Sequence, residues 1–84
     1  MLNSSLMGIR IKFGRAVQDR RKKLGLSQHD LAVLVNVFDS INGPNAKYAD
    51  QAYISRIEHG QTNITLNTIE ALCKALNIRA CDLF

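Results

Sequence analysis

The residues with the clearest chemical purpose lie in one run, Asp50-Gln51-Ala52-Tyr53-Ile54-Ser55-Arg56-Ile57-Glu58-His59-Gly60. Read as a short helix, it turns Ile54 and Ile57, three apart, toward a core. Gln51, Ala52, Ser55 and Arg56 then share the opposite, open face. A helix of this width fits the major groove of DNA. There a glutamine carboxamide bonds adenine through two atoms and an arginine guanidinium bonds guanine in the same way. Ala52 and Ser55 are small enough to let the backbone approach and touch a thymine methyl. The plainer alternative is the solvated face of a surface helix.

Two further groups suit phosphate. Ser27 and Gln28 stand at the start of another helix, where unpaired N–H groups and the helix dipole attract anions. Ser27 is also a good N-cap in its own right. Lys47 and Tyr48 lie just before the run above. They either add a phosphate contact or belong to a tolerated surface insertion.

Other chemistry finds little support. No Ser/His/Asp or Cys/His arrangement, glycine-rich phosphate loop or carboxylate pair is legible, so no enzymatic activity is expected. His29, His59, Cys73 and Cys81 show neither C-x-x-C nor H-x-x-x-H spacing, and no metal, cofactor or small-molecule ligand is expected. Cys73 falls on an apolar helical stripe and reads as a core residue.

Helical periodicity supplies the elements that position these residues. Ile9, Phe13, Val17 and Leu24 recur in steps of four and seven, giving a first helix that Gly25 closes. Met1–Gly8 reads as a flexible N-terminal arm, and residues 9–84 as one domain. A second helix starts at Ser27, carries Leu31, Leu34 and Val35 on one face, and runs past Val35 if Val37, Phe38 and Ile41 belong to it. Asn42-Gly43-Pro44-Asn45 breaks the chain. Asp50 caps the third helix. Thr65 caps a fourth, with Leu66, Ile69, Leu72, Cys73 and Leu76 at core spacing and Asn77 at its end. Ile78 leads into a short last helix over about 80–84.

Composition sets the outer bounds. The chain has 84 residues and is 46% hydrophobic, enough for one small core and no more. Its net charge is +4, and seven of its eleven Lys and Arg residues lie between Arg10 and Lys23. That bias fits a polyanionic partner. Arg10, Lys12, Arg15, Arg20, Lys22 and Lys23 are expected to raise the general positive potential. A membrane-surface role for this helix is disfavoured because its apolar side is needed for the core. Two cysteines suit a reducing cytoplasm. The N-terminus lacks the pattern of a signal peptide, and no apolar run is long enough to span a membrane.

Three segments in order, Leu24-Gly25-Leu26-Ser27-Gln28-His29-Asp30-Leu31-Ala32, Tyr53–Gly60 and Ile64–Ile78, with Asp82-Leu83-Phe84 at the end, closely resemble the Cro and phage-repressor helix-turn-helix family, also called XRE-like. The resemblance implies an all-α, compact five-helix lambda-repressor-like domain, here with an extended connection between helices 2 and 3. It implies a DNA-binding transcriptional regulator acting as a dimer on a partly palindromic operator. Gln51, Ala52, Ser55 and Arg56 match the base-facing positions of helix 3, the recognition helix. Gln28 matches a contact to the DNA backbone, and Asn63 sits in the loop that usually meets phosphate. Arg21 and Glu58 match a buried structural ion pair. Within the family, controllers of restriction–modification operons resemble the chain best in size. An antitoxin that masks a protein partner and autoregulates its operon is the alternative. The homodimer surface is expected around helix 5, with Ile78, Leu83 and Phe84. One departure stands out: the connection over residues 36–49 exceeds the usual short turn by about a dozen residues.

Overall fold

The computed structural model describes residues 2–39 and 49–79, with side chains for residues 8–38 and 49–79. These residues form four helices: α1 (Leu2–Lys23), α2 (Gln28–Asp39), α3 (Gln51–Glu58) and α4 (Leu66–Leu76). The fold is all-α, and no strand occurs among the described residues. The last helix expected over 80–84 lies outside the described residues, as do Cys81, Leu83 and Phe84. The same holds for residues 40–48 of the long connection, including Lys47 and Tyr48.

Local chemistry sets the helix ends. At the start of α2 the Ser27 Oγ accepts from the Asp30 amide at 3.0 Å, and an Asp30 carboxylate oxygen accepts from the Ser27 amide at 3.0 Å. This reciprocal box satisfies two donors that the first turn would otherwise leave open. Asp50 caps α3 by accepting from the Tyr53 amide at 2.7 Å, and Thr65 caps α4 by accepting from the Thr68 amide at 3.2 Å. α1, α3 and α4 all end in the same turn. Gly25, Gly60 and Asn77 adopt left-handed φ values of 73°, 69° and 56°. In each case the cap amide reaches back three residues and the next amide reaches back five, as from Leu26 to Arg21, Gln61 to Arg56 and Ile78 to Cys73. Glycine and asparagine tolerate that conformation, which other side chains resist.

The core lies where the helices meet. Phe13 and Val17 come from α1, Leu31, Ala32 and Val35 from α2, Ile54 and Ile57 from α3, and Ala71, Leu72 and Leu76 from α4. α2 packs most extensively on α4, while α3 rests on both α1 and α2. Phe38 packs partly against the core, so α2 does run past Val35, as far as Asp39.

Four expectations need correction. The arm expected over residues 1–8 is helical from Leu2 onward. Leu2, Leu6, Ile9 and Phe13 continue the steps of three and four, so nothing in the sequence interrupts the period. The stripe on α1 is also narrower than the periodicity suggests: Ile9 and Leu24 are about half exposed, and the buried line runs Phe13, Val17, Arg21. Leu66, placed on the core stripe of α4, is 82% exposed. It is the first residue after the cap, one turn short of the place where α4 meets its neighbours. Cys73 is half-buried against the core rather than enclosed. No helix among the described residues is long and apolar enough to cross a membrane.

Candidate nucleic-acid interface

α3 is eight residues long and divides sharply by face. Ile54, Ile57 and Glu58 are buried, the two isoleucines almost completely. Gln51, Ala52 and Arg56 are exposed, and Ser55 and Tyr53 are half-buried. The four residues proposed to read bases therefore lie together on the outward side. Arg56 presents its guanidinium one turn beyond Gln51 and Ala52.

The inward side is fixed by an ion pair. Arg21 Nε donates to Glu58 Oε2 at 2.6 Å and Nη2 donates to Oε1 at 3.2 Å, a two-point contact with both side chains nearly inaccessible to water. Arg21 Nη1 also donates to the Leu26 carbonyl at 2.8 Å, and Gln28 Nε2 donates to Glu58 Oε1 at 3.0 Å. One carboxylate thus gathers α1 and the first residue of α2 onto the end of α3, and Arg21 adds the α1–α2 turn. Among the described residues no buried side-chain nitrogen or oxygen lacks a partner. That is the condition under which a buried pair holds a fold together rather than weakening it.

Two glycines let α3 come this close. A Cβ on Gly14 would lie 2.6 Å from the Glu58 carbonyl oxygen and nearer still to that of Ile57. The end of α3 therefore presses backbone to backbone on the middle of α1. A Cβ on Gly60 would meet the Ile11 amide nitrogen at 3.2 Å, so the turn leaving α3 sits on the same helix.

The other end of α3 is tied to α2. The Ala49 amide donates to Asn36 Oδ1 at 2.7 Å, and Asn36 Nδ2 donates to the Ala49 carbonyl at 2.8 Å. Ala49 is buried and directly precedes the Asp50 cap.

The residues expected to meet phosphate are differently placed. Ser27 is exposed at the start of α2, its oxygen engaged by the Asp30 amide. Gln28 is half-buried and gives one amide hydrogen to Glu58, so part of its polarity serves the fold. Asn63 is exposed in the loop between α3 and α4. It borders a half-open groove of about 390 Å³ shared with Arg10, Thr62 and apolar side chains of α1, α3 and α4. Lys47 and Tyr48 lie outside the described residues. Arg20, assigned above to the general potential, donates from Nε to the Leu76 carbonyl at 3.2 Å and closes the end of α4. The Asp30 carboxyl is held below its usual range, first by the Ser27 amide, then by the Ser27 hydroxyl and the nearby His29. Among the described residues no cluster of three or more His, Cys, Asp or Glu side chains is arranged to hold a metal.

Gly14, Arg20 and Asn36 are the residues that sequence reasoning missed. A glycine in mid-helix carries a propensity penalty, which signals a close approach. Asn36 is the lone polar residue in the run Leu31–Phe38 and therefore needs partners. For Arg20 the sequence offers no local signal, because Leu76 is 56 positions away.

A helix capped at Asp50, buried on one side and open on the other, follows a capped α2 against which it packs. A family model for the helix-turn-helix domain matches residues 12–83. The chain belongs to the XRE-like helix-turn-helix family. The crystal structure of the restriction-modification controller protein C.AhdI from Aeromonas hydrophila is similar to this helix-turn-helix chain at 34% identity and a TM-score of 0.71. The match covers 88% of this chain and 94% of that one. No curated protein sequence matches the chain significantly. In a helix-turn-helix domain the second helix of the motif is the one that enters the major groove of DNA.

Proposed function

We propose that this chain is a sequence-specific transcriptional regulator that binds a partly palindromic operator as a homodimer. The observation that carries the reading is the division of α3. Its inward side is committed to Ile54, Ile57 and the Glu58 pair, while Gln51, Ala52, Ser55 and Arg56 stand outward with side chains suited to base edges. Ser27, Gln28 and Asn63 flank that face and contact the sugar–phosphate backbone. Gln28 does so with the amide hydrogen that Glu58 does not use. Lys47 and Tyr48 are assigned to the same role by their place just before α3. Two subunits would set their α3 helices in successive major grooves, about 34 Å apart. The dimer surface is assigned to the C-terminal region, with Leu83 and Phe84. Ile78, the third residue expected there, is half-buried against the core of its own subunit. The similarity to a restriction-modification controller supports a role in controlling such an operon.

Selection of bound duplexes from random DNA tests the reading and defines the operator. Arg56→Ala and Gln51→Ala should each weaken binding to the selected duplex by about tenfold or more, the loss of one bidentate contact, with the thermal transition unchanged. Binding by both variants at wild-type strength would refute the assignment of α3 as the reading helix.

A further inference from the structure

The long connection between α2 and α3 places an unusual demand on the fold. In a short helix-turn-helix the turn itself dictates where the second helix begins. Here the eleven residues 40–50 separate α2 from α3, and a connection of that length does not by itself impose such a geometry. Asn36 replaces it. Its carboxamide meets both polar groups of Ala49, accepting from the amide at 2.7 Å and donating to the carbonyl at 2.8 Å. A single bond leaves a segment free to pivot, whereas two bonds, one to each of the peptide groups that flank the Ala49 Cα, fix its distance and its rotation. Only Asn and Gln offer a donor and an acceptor side by side, and Asp lacks the donor. Ala49 is followed by the Asp50 cap and then by Gln51, the first of the base-facing residues.

We propose that Asn36 is a specificity-determining positioning residue, which sets the angle and depth at which α3 presents Gln51 and Arg56 to the bases. The inference rests on the reading of α3 as the base-contacting helix. Arg21 and Glu58 anchor the far end of α3 and Asn36 its near end, so the helix is held at two points. Release of the near end leaves α3 buried along Ile54 and Ile57 yet free to tilt. Base contacts depend steeply on such a tilt. Phosphate contacts from Ser27 and Asn63, on other elements, do not.

The test compares affinity for the selected operator with affinity for an unrelated duplex of equal length at the same salt. Asn36→Ala and Asn36→Asp should lose about tenfold or more of operator affinity, equivalent to one bidentate base contact. Affinity for the unrelated duplex should stay nearly constant in Asn36→Ala, and in Asn36→Asp, which adds a negative charge, should fall less than affinity for the operator. Leu72→Ala, a core change on α4 that lowers stability but removes neither of the Asn36–Ala49 hydrogen bonds, should keep the wild-type ratio of the two affinities. An unchanged ratio in the Asn36 variants, or an equal loss in Leu72→Ala, overturns the proposal. A wild-type chain with no preference for any duplex instead refutes base reading by α3 itself. Should Asn36→Ala not fold, Asn36→Asp, which keeps the shape and one bond, carries the comparison. Amide hydrogen exchange at Ala49 in the wild type is independent of every variant. Protection there supports the clamp, and exchange at the rate of an open amide overturns it.

Discussion

Gly8 and Gly14 sit in the same helix under opposite constraints. A Cβ at Gly8 would meet nothing within 4 Å, while one at Gly14 would run into the carbonyls that end α3. Gly8→Ala should therefore stabilise the protein by up to about 1 kcal/mol, the helix-propensity difference. Gly14→Ala should destabilise it by about 1–3 kcal/mol, as overpacking does, because backbone cannot step aside as a side chain can. Denaturant titration of the two variants measures both signs, and a stabilised Gly14→Ala would contradict the close crossing. Arg21→Ala leaves the Glu58 carboxylate buried with only Gln28 beside it. A loss of about 3–5 kcal/mol is expected, visible as a lowered melting temperature. These residues differ in how far the sequence reveals them. Gly14 and Asn36 each break a local rule and can be suspected from that alone. Arg21 and Glu58 are 37 positions apart, and only the family resemblance puts them together.

At the scale of elements, the capping residues do more than end helices. Asp50 caps α3 but places an exposed carboxylate on the side that faces phosphate in the proposed complex. Asp50→Asn retains the accepting oxygen and removes the charge. It should leave stability within about 0.5 kcal/mol, since the two residues cap equally well, and tighten DNA binding most at low salt. Weaker binding by this variant would mean that the carboxylate serves the complex in some other way. Asp30 gives a pH dependence of known sign. Its carboxyl is held below the ordinary value of 3.8 in the folded chain. The stabilisation it supplies is therefore present above that value and lost as pH falls through the lowered one. Wild type should be more stable than Asp30→Asn at neutral pH, and the difference, followed by denaturant titration at a series of pH values, should shrink as pH falls through the lowered value. Caps were the most legible feature of the sequence, because Ser27, Asp50, Thr65, Gly25, Gly60 and Asn77 act on atoms only a few positions away. Helix faces were less so. Leu66 and Leu24 obey the apolar period but lie beyond the ends of the contact, and periodicity alone does not say where a neighbouring helix stops.

Across the whole molecule, charge is divided between folding and field. Of the cluster on α1, Arg20 and Arg21 are spent on Leu76 and Glu58, while Lys22 and Lys23 are exposed. Changing both lysines to glutamine should slow association with DNA and leave dissociation nearly unchanged, the pattern of long-range steering. Stopped-flow binding at two salt concentrations separates the two rates, and a change confined to dissociation would place these lysines in direct contact instead. The family and the all-α architecture were legible from three separated motifs. The manner in which α3 is seated was not, because it depends on Gly14, Asn36 and Arg20 meeting partners remote in sequence. That seating has a consequence for how such a protein changes partners. Everything that holds α3 lies behind it or at its ends, and the outward side chains of Gln51, Ala52 and Arg56 carry none of the hydrogen bonds described above. If α3 reads the bases as proposed, natural drift or deliberate exchange at these positions would redirect the chain to a new operator without a new fold. The outward face of α3 is an alphabet, rewritable while the rest of the molecule stays fixed.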